Sequence, residues 1–184
     1  GLMNIFTFQK TDRLIELINF QVPASWFQSI NPLMIIALGF YVSLFWYKLE
    51  LKKIVSSSII KIAVGIIIMG LGFVFMFFAS LEYEIYGKSS MFWLILAYLF
   101  HTIGELCASP VILSYITKLS PKKLVSSIMG IYFAAIGIGN KLAGTIGQYS
   151  EKLGEKSIFL GITIVCITVG LVVILCNKKL LKLS

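Results

Sequence analysis

One carboxylate in this chain stands where carboxylates are rare. Glu105 lies near the middle of a long apolar run, in HTIGELCASP, with His101 four residues before it and Ser109 four residues after. On a helix that spacing gathers His101, Glu105 and Ser109 on one face, with Tyr98 and Thr102 beside it. An ionisable side chain at membrane depth is expensive and usually faces a cavity or a partner. Such a stripe can line a water-filled path, where the carboxylate holds a substrate amine or takes up a proton. It can also be a buried hydrogen-bonded cluster that joins helices. A lone carboxylate is a costly glue, so Glu105 reads first as functional; for His101 and Ser109 the structural role serves at least as well.

Other chemistry fits less well. The pattern is H-x-x-x-E rather than H-E-x-x-H, and the chain holds one histidine, whereas zinc needs more ligands. No metal or cofactor is expected. An intramembrane hydrolase using Ser109 or Ser114 would want a G-x-S-x-G elbow and a histidine partner, and the sequence offers neither arrangement, so no enzyme is expected. A second polar group, Trp26, Gln28 and Asn31, precedes Pro32. Gln28 and Asn31 are three apart and share a helix face. Asn31 either lines a cavity or satisfies a backbone group freed by the proline; Trp26 lines the same space or anchors the helix at the interface.

The elements that position these residues are apolar helices. The 184 residues are 58% hydrophobic and 13% charged, against about 25% charged in soluble domains. The apolar runs are continuous, which favours helices over the alternating strands of a membrane barrel. Spans are expected at about 24–46, 62–81, 91–117, 127–146 and 158–176. Polar loops are expected at 10–23 and 147–157, basic ones at 47–61 and 118–126, and an acidic one at 82–90. The fold class is therefore all-α, a polytopic membrane helical bundle with about five full transmembrane helices. Gly65, Gly70 and Gly72 permit close helix approach, and Ala135, Gly139, Ala143 and Gly147 form a small-residue ladder that reads as a packing face. Cys107, Cys166 and Cys176 read as small buried hydrophobes. Residues 1–9 read as the tail of a helix that begins upstream, since the chain opens on Gly1 rather than Met.

Charge sets the orientation. The net charge is +8, but the lysines fall in short clusters between apolar runs, which argues against a nucleic-acid partner. Lys48, Lys52, Lys53, Lys61, Lys118, Lys122, Lys123, Lys178, Lys179 and Lys182 occupy one set of loops with Glu50 as the sole acid. The opposite loops mix Lys10, Arg13, Lys88, Lys152 and Lys156 with Asp12, Glu16, Glu82, Glu84, Glu151 and Glu155. The positive-inside rule places the first set, and the C-terminus, in the cytoplasm.

Three ordered motifs, PASWFQSINP (23–32), GELCASP with TKLSP (104–110 and 117–121) and MGIYFAAIGIGNKLAG (129–144), resemble the proton-dependent oligopeptide transporter family of the major facilitator superfamily. The resemblance implies the C-terminal half of a twelve-helix transporter: a partial six-helix bundle, with residues 1–9 ending the seventh helix and the spans forming helices eight to twelve. It implies import of di- and tripeptides by symport with protons across the cytoplasmic membrane. The partners would be a small peptide, protons, the lipid bilayer and the N-terminal helical bundle. By similarity, Glu105 matches a glutamate facing the peptide's amino terminus, Ser109 a small hydroxyl residue near it, and Asn31 a pocket-lining asparagine. Tyr132 falls where the family has an aromatic, most often Trp, that shapes a pocket for a substrate side chain, and Ile112 in PVILS replaces a usual glycine. The family's E-x-x-E-R segment is not in this chain. The alternative is a multi-span assembly or accessory protein whose polar residues are interhelical glue.

Overall fold

The computed structural model describes residues 2–52, 57–149 and 154–180, with the side chains of 178–180 excepted. Six α-helices dominate the described residues: α1 (Leu2–Lys10), α2 (Ala24–Leu51), α3 (Ser58–Tyr86), α4 (Met91–Leu119), α5 (Val125–Gln148) and α6 (Glu155–Leu180). Five of them, α2 to α6, are long and apolar enough to cross a membrane. Each expected apolar segment lies within one of these helices, and most helices run past its ends. The basic segment expected as a loop at 47–61 is largely helical, because α2 continues to Leu51 and α3 begins at Ser58. The acidic loop expected at 82–90 shrinks in the same way, since α3 reaches Tyr86. Residues 53–56, 150–153 and 181–184, which fall in the expected basic loop, the loop at 147–157 and the tail, lie outside the described residues.

Local caps explain the true ends. Ser57 Oγ accepts the Ile59 amide at the start of α3, and Ser90 Oγ accepts the Phe92 amide at the start of α4. Each satisfies an amide that has no partner within its helix. Gly87, with φ 74°, ends α3 in the left-handed conformation that a glycine adopts without strain.

The centre of the bundle is α3, which presents small residues on two sides. Towards α4, a Cβ at Gly65 would stand 2.7 Å from the Gly104 carbonyl oxygen, and one at Gly72 would stand 2.6 Å from the His101 ring. Towards α6, a Cβ at Gly70 would meet Cys166 Cβ at 2.7 Å. Helices in a membrane gain little from the hydrophobic effect and are held by such close contact. At one end of the bundle Phe6, Phe27, Met76, Ala79, Leu94, Ala97 and Phe159 form the buried core. Phe6 is fully buried, its ring edge-on to Phe159 at 5.9 Å.

The ladder on α5 meets α1 at one of its positions. At Gly147 the helix comes near α1, where a Cβ would lie 3.9 Å from Leu2, but among the described residues nothing stands within 4 Å of a Cβ at Gly139. Beside this contact is a recess of about 530 Å³ lined by Leu2, Met3, Asn4, Phe73, Gly139 and Ala143 among others. The cysteines also divide. Cys107 is buried and Cys166 half-buried, but Cys176 is exposed, on a stretch of α6 where Leu171, Val172 and Leu175 are exposed too. A span facing lipid has no need to bury these side chains.

Short connections tie one end of the helices together. Residues 10–23, expected as a plain loop, contain β1 (Thr11–Asp12), β2 (Leu14–Ile15), a 3-10 turn (Glu16–Ile18) and β3 (Phe20–Gln21). β2 and β3 form an antiparallel hairpin, and β1 pairs in parallel with β4 (Ser89–Ser90), Thr11 opposite Ser89. Nearby, Lys10 Nζ lies 3.0 Å from Glu155 Oε2 and 4.8 Å from the centre of the Tyr83 ring. The Glu155 carboxylate is almost fully buried, so the pair joins α1, α3 and α6 with little screening. Lys156 and Glu84, 2.8 Å apart, are both exposed. Glu155→Ala is expected to reduce stability by roughly 2 kcal/mol, and Lys156→Ala by less than about 1 kcal/mol. Thermal unfolding in detergent compares them; equal losses would show that the Lys10 pair has no special structural weight.

Candidate functional site

Three helices bring the polar residues together. Asn31 sits on α2 one residue before Pro32, and Glu105 on α4 five residues before Pro110. Asn31 Nδ2 donates to Glu105 Oε2 at 3.2 Å. The Thr102 hydroxyl lies 2.5 Å from Asn31 Oδ1 and 2.8 Å from the Tyr98 carbonyl oxygen. The Tyr98 hydroxyl donates to Asn4 Oδ1 on α1 at 3.3 Å. A chain of polar groups thus runs from α1 through α4 to α2 and ends on the carboxylate. Asn31 and Glu105 are half-buried while Thr102 is fully buried. The other carboxylate oxygen, Oε1, accepts no hydrogen bond among the described residues. A carboxylate oriented through one oxygen, with the second available, suits a ligand carrying an ammonium group.

Of the other site residues named from the sequence, Ser109 is half-buried on α4 one turn beyond Glu105. His101 turns away. Its ring packs on Phe73 at 4.5 Å, lies over Gly72 and hydrogen-bonds to the Met69 backbone, and its Nε2 is buried without a partner among the described residues. It belongs to the α3–α4 contact rather than to the Glu105 pair. Eight residues, roughly 12 Å of helix, also separate it from Ser109. Gln28 is exposed on α2, and Trp26 is 58% exposed, tilted against Phe20 beside an apolar recess of about 530 Å³ that includes Phe27, Ile30 and Ile95. Tyr132 is half-buried on α5, its ring 5.4 Å from that of Phe133. Among the described residues no hydrogen bond joins Gln28, Trp26 or Tyr132 to Glu105. No group of three or more metal-ligating side chains occurs among the described residues. Asn4 was missed from the sequence, where one amide in a short helical tail carries no signal of its partner.

A profile of the POT family matches residues 2–158. The chain is 40% identical over 148 residues to the peptide transporter YePEPT of Yersinia enterocolitica, covering 79% of this chain and 29% of that protein. It is 31% identical over 164 residues to a di-/tripeptide transporter of Lactococcus lactis subsp. cremoris, covering 89% of this chain and 33% of that one. The chain therefore spans about a third of the length of the curated relatives it matches. Among solved structures, a POT family transporter in complex with 5-aminolevulinic acid superposes with a TM-score of 0.82 at 28% identity, over 97% of this chain and 36% of the other. A mutant of peptide transporter POT in complex with alafosfalin gives a TM-score of 0.85 at 26% identity, over 97% and 36%.

Proposed function

Because the chain belongs to the POT family, we propose that it forms the C-terminal portion of a proton-coupled symporter that imports di- and tripeptides. α1 is then the end of the seventh helix and α2 to α6 are helices eight to twelve. The observation that carries this reading is the Asn31–Glu105 bond, which holds a carboxylate between α2 and α4 within apolar spans. An ionised Glu105 pairs there with the ammonium of a peptide, and Ser109 one turn away supplies a hydroxyl. Transporters of this superfamily bind substrate at the interface of two helical halves. The exposed apolar side chains of α2, including Leu33, Ile36 and Phe40, and of α5, including Ile131, Ile138 and Leu142, suit contact with lipid and with an N-terminal bundle.

The alternation of basic and mixed loops supports a cytoplasmic C-terminus, and the family match supports a place in the inner membrane. The deciding experiment is uptake of a labelled dipeptide into proteoliposomes under an inward proton gradient, comparing residues 1–184 alone with the same chain joined to an N-terminal bundle. Uptake by the joined form alone is expected. Uptake by residues 1–184 alone would overturn the requirement for two halves, and uptake by neither would overturn the peptide reading.

A further inference from the structure

We propose that Thr102 is a positioning residue that fixes the direction of the Asn31 side-chain amide, and through it the readiness of Glu105 to bind an amine; the transport consequence rests on the function proposed above. An asparagine amide presents an acceptor on one side and a donor on the other, and its direction is set by its neighbours. Here the two neighbours of Asn31 are unequal. Glu105, when ionised, can only accept, so it demands the NH2 group. The Thr102 hydroxyl, which can donate, stands 2.5 Å from Oδ1 on the opposite side of the amide. Both contacts agree on one direction, with Nδ2 towards Glu105.

The hydroxyl proton of Thr102 has a competing acceptor. The Tyr98 carbonyl, 2.8 Å away and one helical turn earlier, is the ordinary partner of a threonine inside a helix. That carbonyl also takes the backbone bond of the helix, so losing the hydroxyl does not leave it unpaired. Asn31 Oδ1 has no such second source among the described residues, which places the larger penalty of losing the hydroxyl on the amide. Thr102 is fully buried, so water does not readily take over its role. With the hydroxyl gone, the amide is free to rotate. Its NH2 group then no longer steadily holds Oε2, and the carboxylate loses the support that directs Oε1 to a ligand.

The test uses the full-length transporter carrying this C-terminal portion. Thr102→Val keeps the side-chain shape and removes the hydroxyl, while Thr102→Ser keeps the hydroxyl. Thr102→Val is expected to raise the KM for a free dipeptide about tenfold, with kcat changed less, and Thr102→Ser to restore KM to within about twofold. In an Asn31→Leu background, Thr102→Val is expected to add nothing. The infrared carboxylate band of Glu105, assigned by its loss in Glu105→Gln, should shift in Thr102→Val and not in Thr102→Ser. Equal impairment by Val and Ser, additivity with Asn31→Leu, or an unmoved band would each overturn the positioning role. If the wild type imports no dipeptide, the transport reading fails, and the infrared comparison still decides the role of Thr102.

Discussion

Glu105→Gln is expected to lower dipeptide uptake by the full-length transporter by about ten- to a hundredfold, with thermal stability nearly unchanged. Glutamine has the shape of glutamate and keeps an oxygen for the Asn31 Nδ2 donor, so the contact between α2 and α4 at 3.2 Å survives. What disappears is the negative charge. A charge-assisted bond in a half-buried site contributes about 1.5–3 kcal/mol, and each 1.4 kcal/mol is about tenfold in affinity. The direct interaction alone thus accounts for one to two orders of magnitude. A dipeptide whose amino group is acetylated should bind weakly to the wild type and lose little more in the variant. Uptake that survives Glu105→Gln would instead support interhelical glue, since the glutamine preserves the contact and only the charge is gone. Initial uptake rates and thermal unfolding of the same preparations separate the two readings.

The sequence made Glu105 legible because a charge inside an apolar run is conspicuous, and Asn31 because it shares its turn with Pro32. The spans were legible for the same reason, but their ends were not. Hydropathy marks the part of a helix that meets hydrocarbon, whereas the backbone stops where a cap stops it. α2 continues through Lys48 and Glu50 to Leu51, and α3 waits for Ser57 and Gly87. His101 shows a second limit. Four residues turn a helix by about 400°, so His101 lies about 40° to one side of Glu105, near enough to share its face on paper. Gly72 on α3 leaves a slot of one missing side chain, and the imidazole fills it. Such a choice depends on the neighbouring helix. On the sequence Thr102 lies merely beside the stripe, yet in the fold it is Thr102 that reaches Asn31. The α5 ladder carries the same small-residue signal as the glycines of α3, yet among the described residues Gly139 has nothing within 4 Å of a Cβ whereas Gly65, Gly70 and Gly72 meet α4 or α6 at under 3 Å, because spacing describes a surface and not what lies against it.

Gly104→Ala is expected to reduce stability by about 3 kcal/mol or more and to abolish uptake, although it adds a single methyl group. A Cβ at Gly104 would stand 2.6 Å from the Gly65 carbonyl oxygen and 2.9 Å from the Met69 amide nitrogen. Both are backbone atoms of α3, so no side-chain rotation relieves the contact, and the two helices must separate. Separation loosens Ala108, which a Cβ at Gly65 would meet at 2.9 Å from the other side. The displaced turn also carries Glu105, the next residue, whose bond to Asn31 is already at the long end of the range for hydrogen bonds. Gly161→Ala on α6 is the matched comparison, because among the described residues nothing lies within 4 Å of its added Cβ. There the better helix propensity of alanine, up to about 1 kcal/mol, acts unopposed. Thermal midpoints in detergent should therefore fall sharply for Gly104→Ala and hold or rise for Gly161→Ala. If the two variants were equally stable, close approach of α3 and α4 at Gly65 and Gly104 would not be what holds the bundle together, and the placement of Glu105 would need another cause.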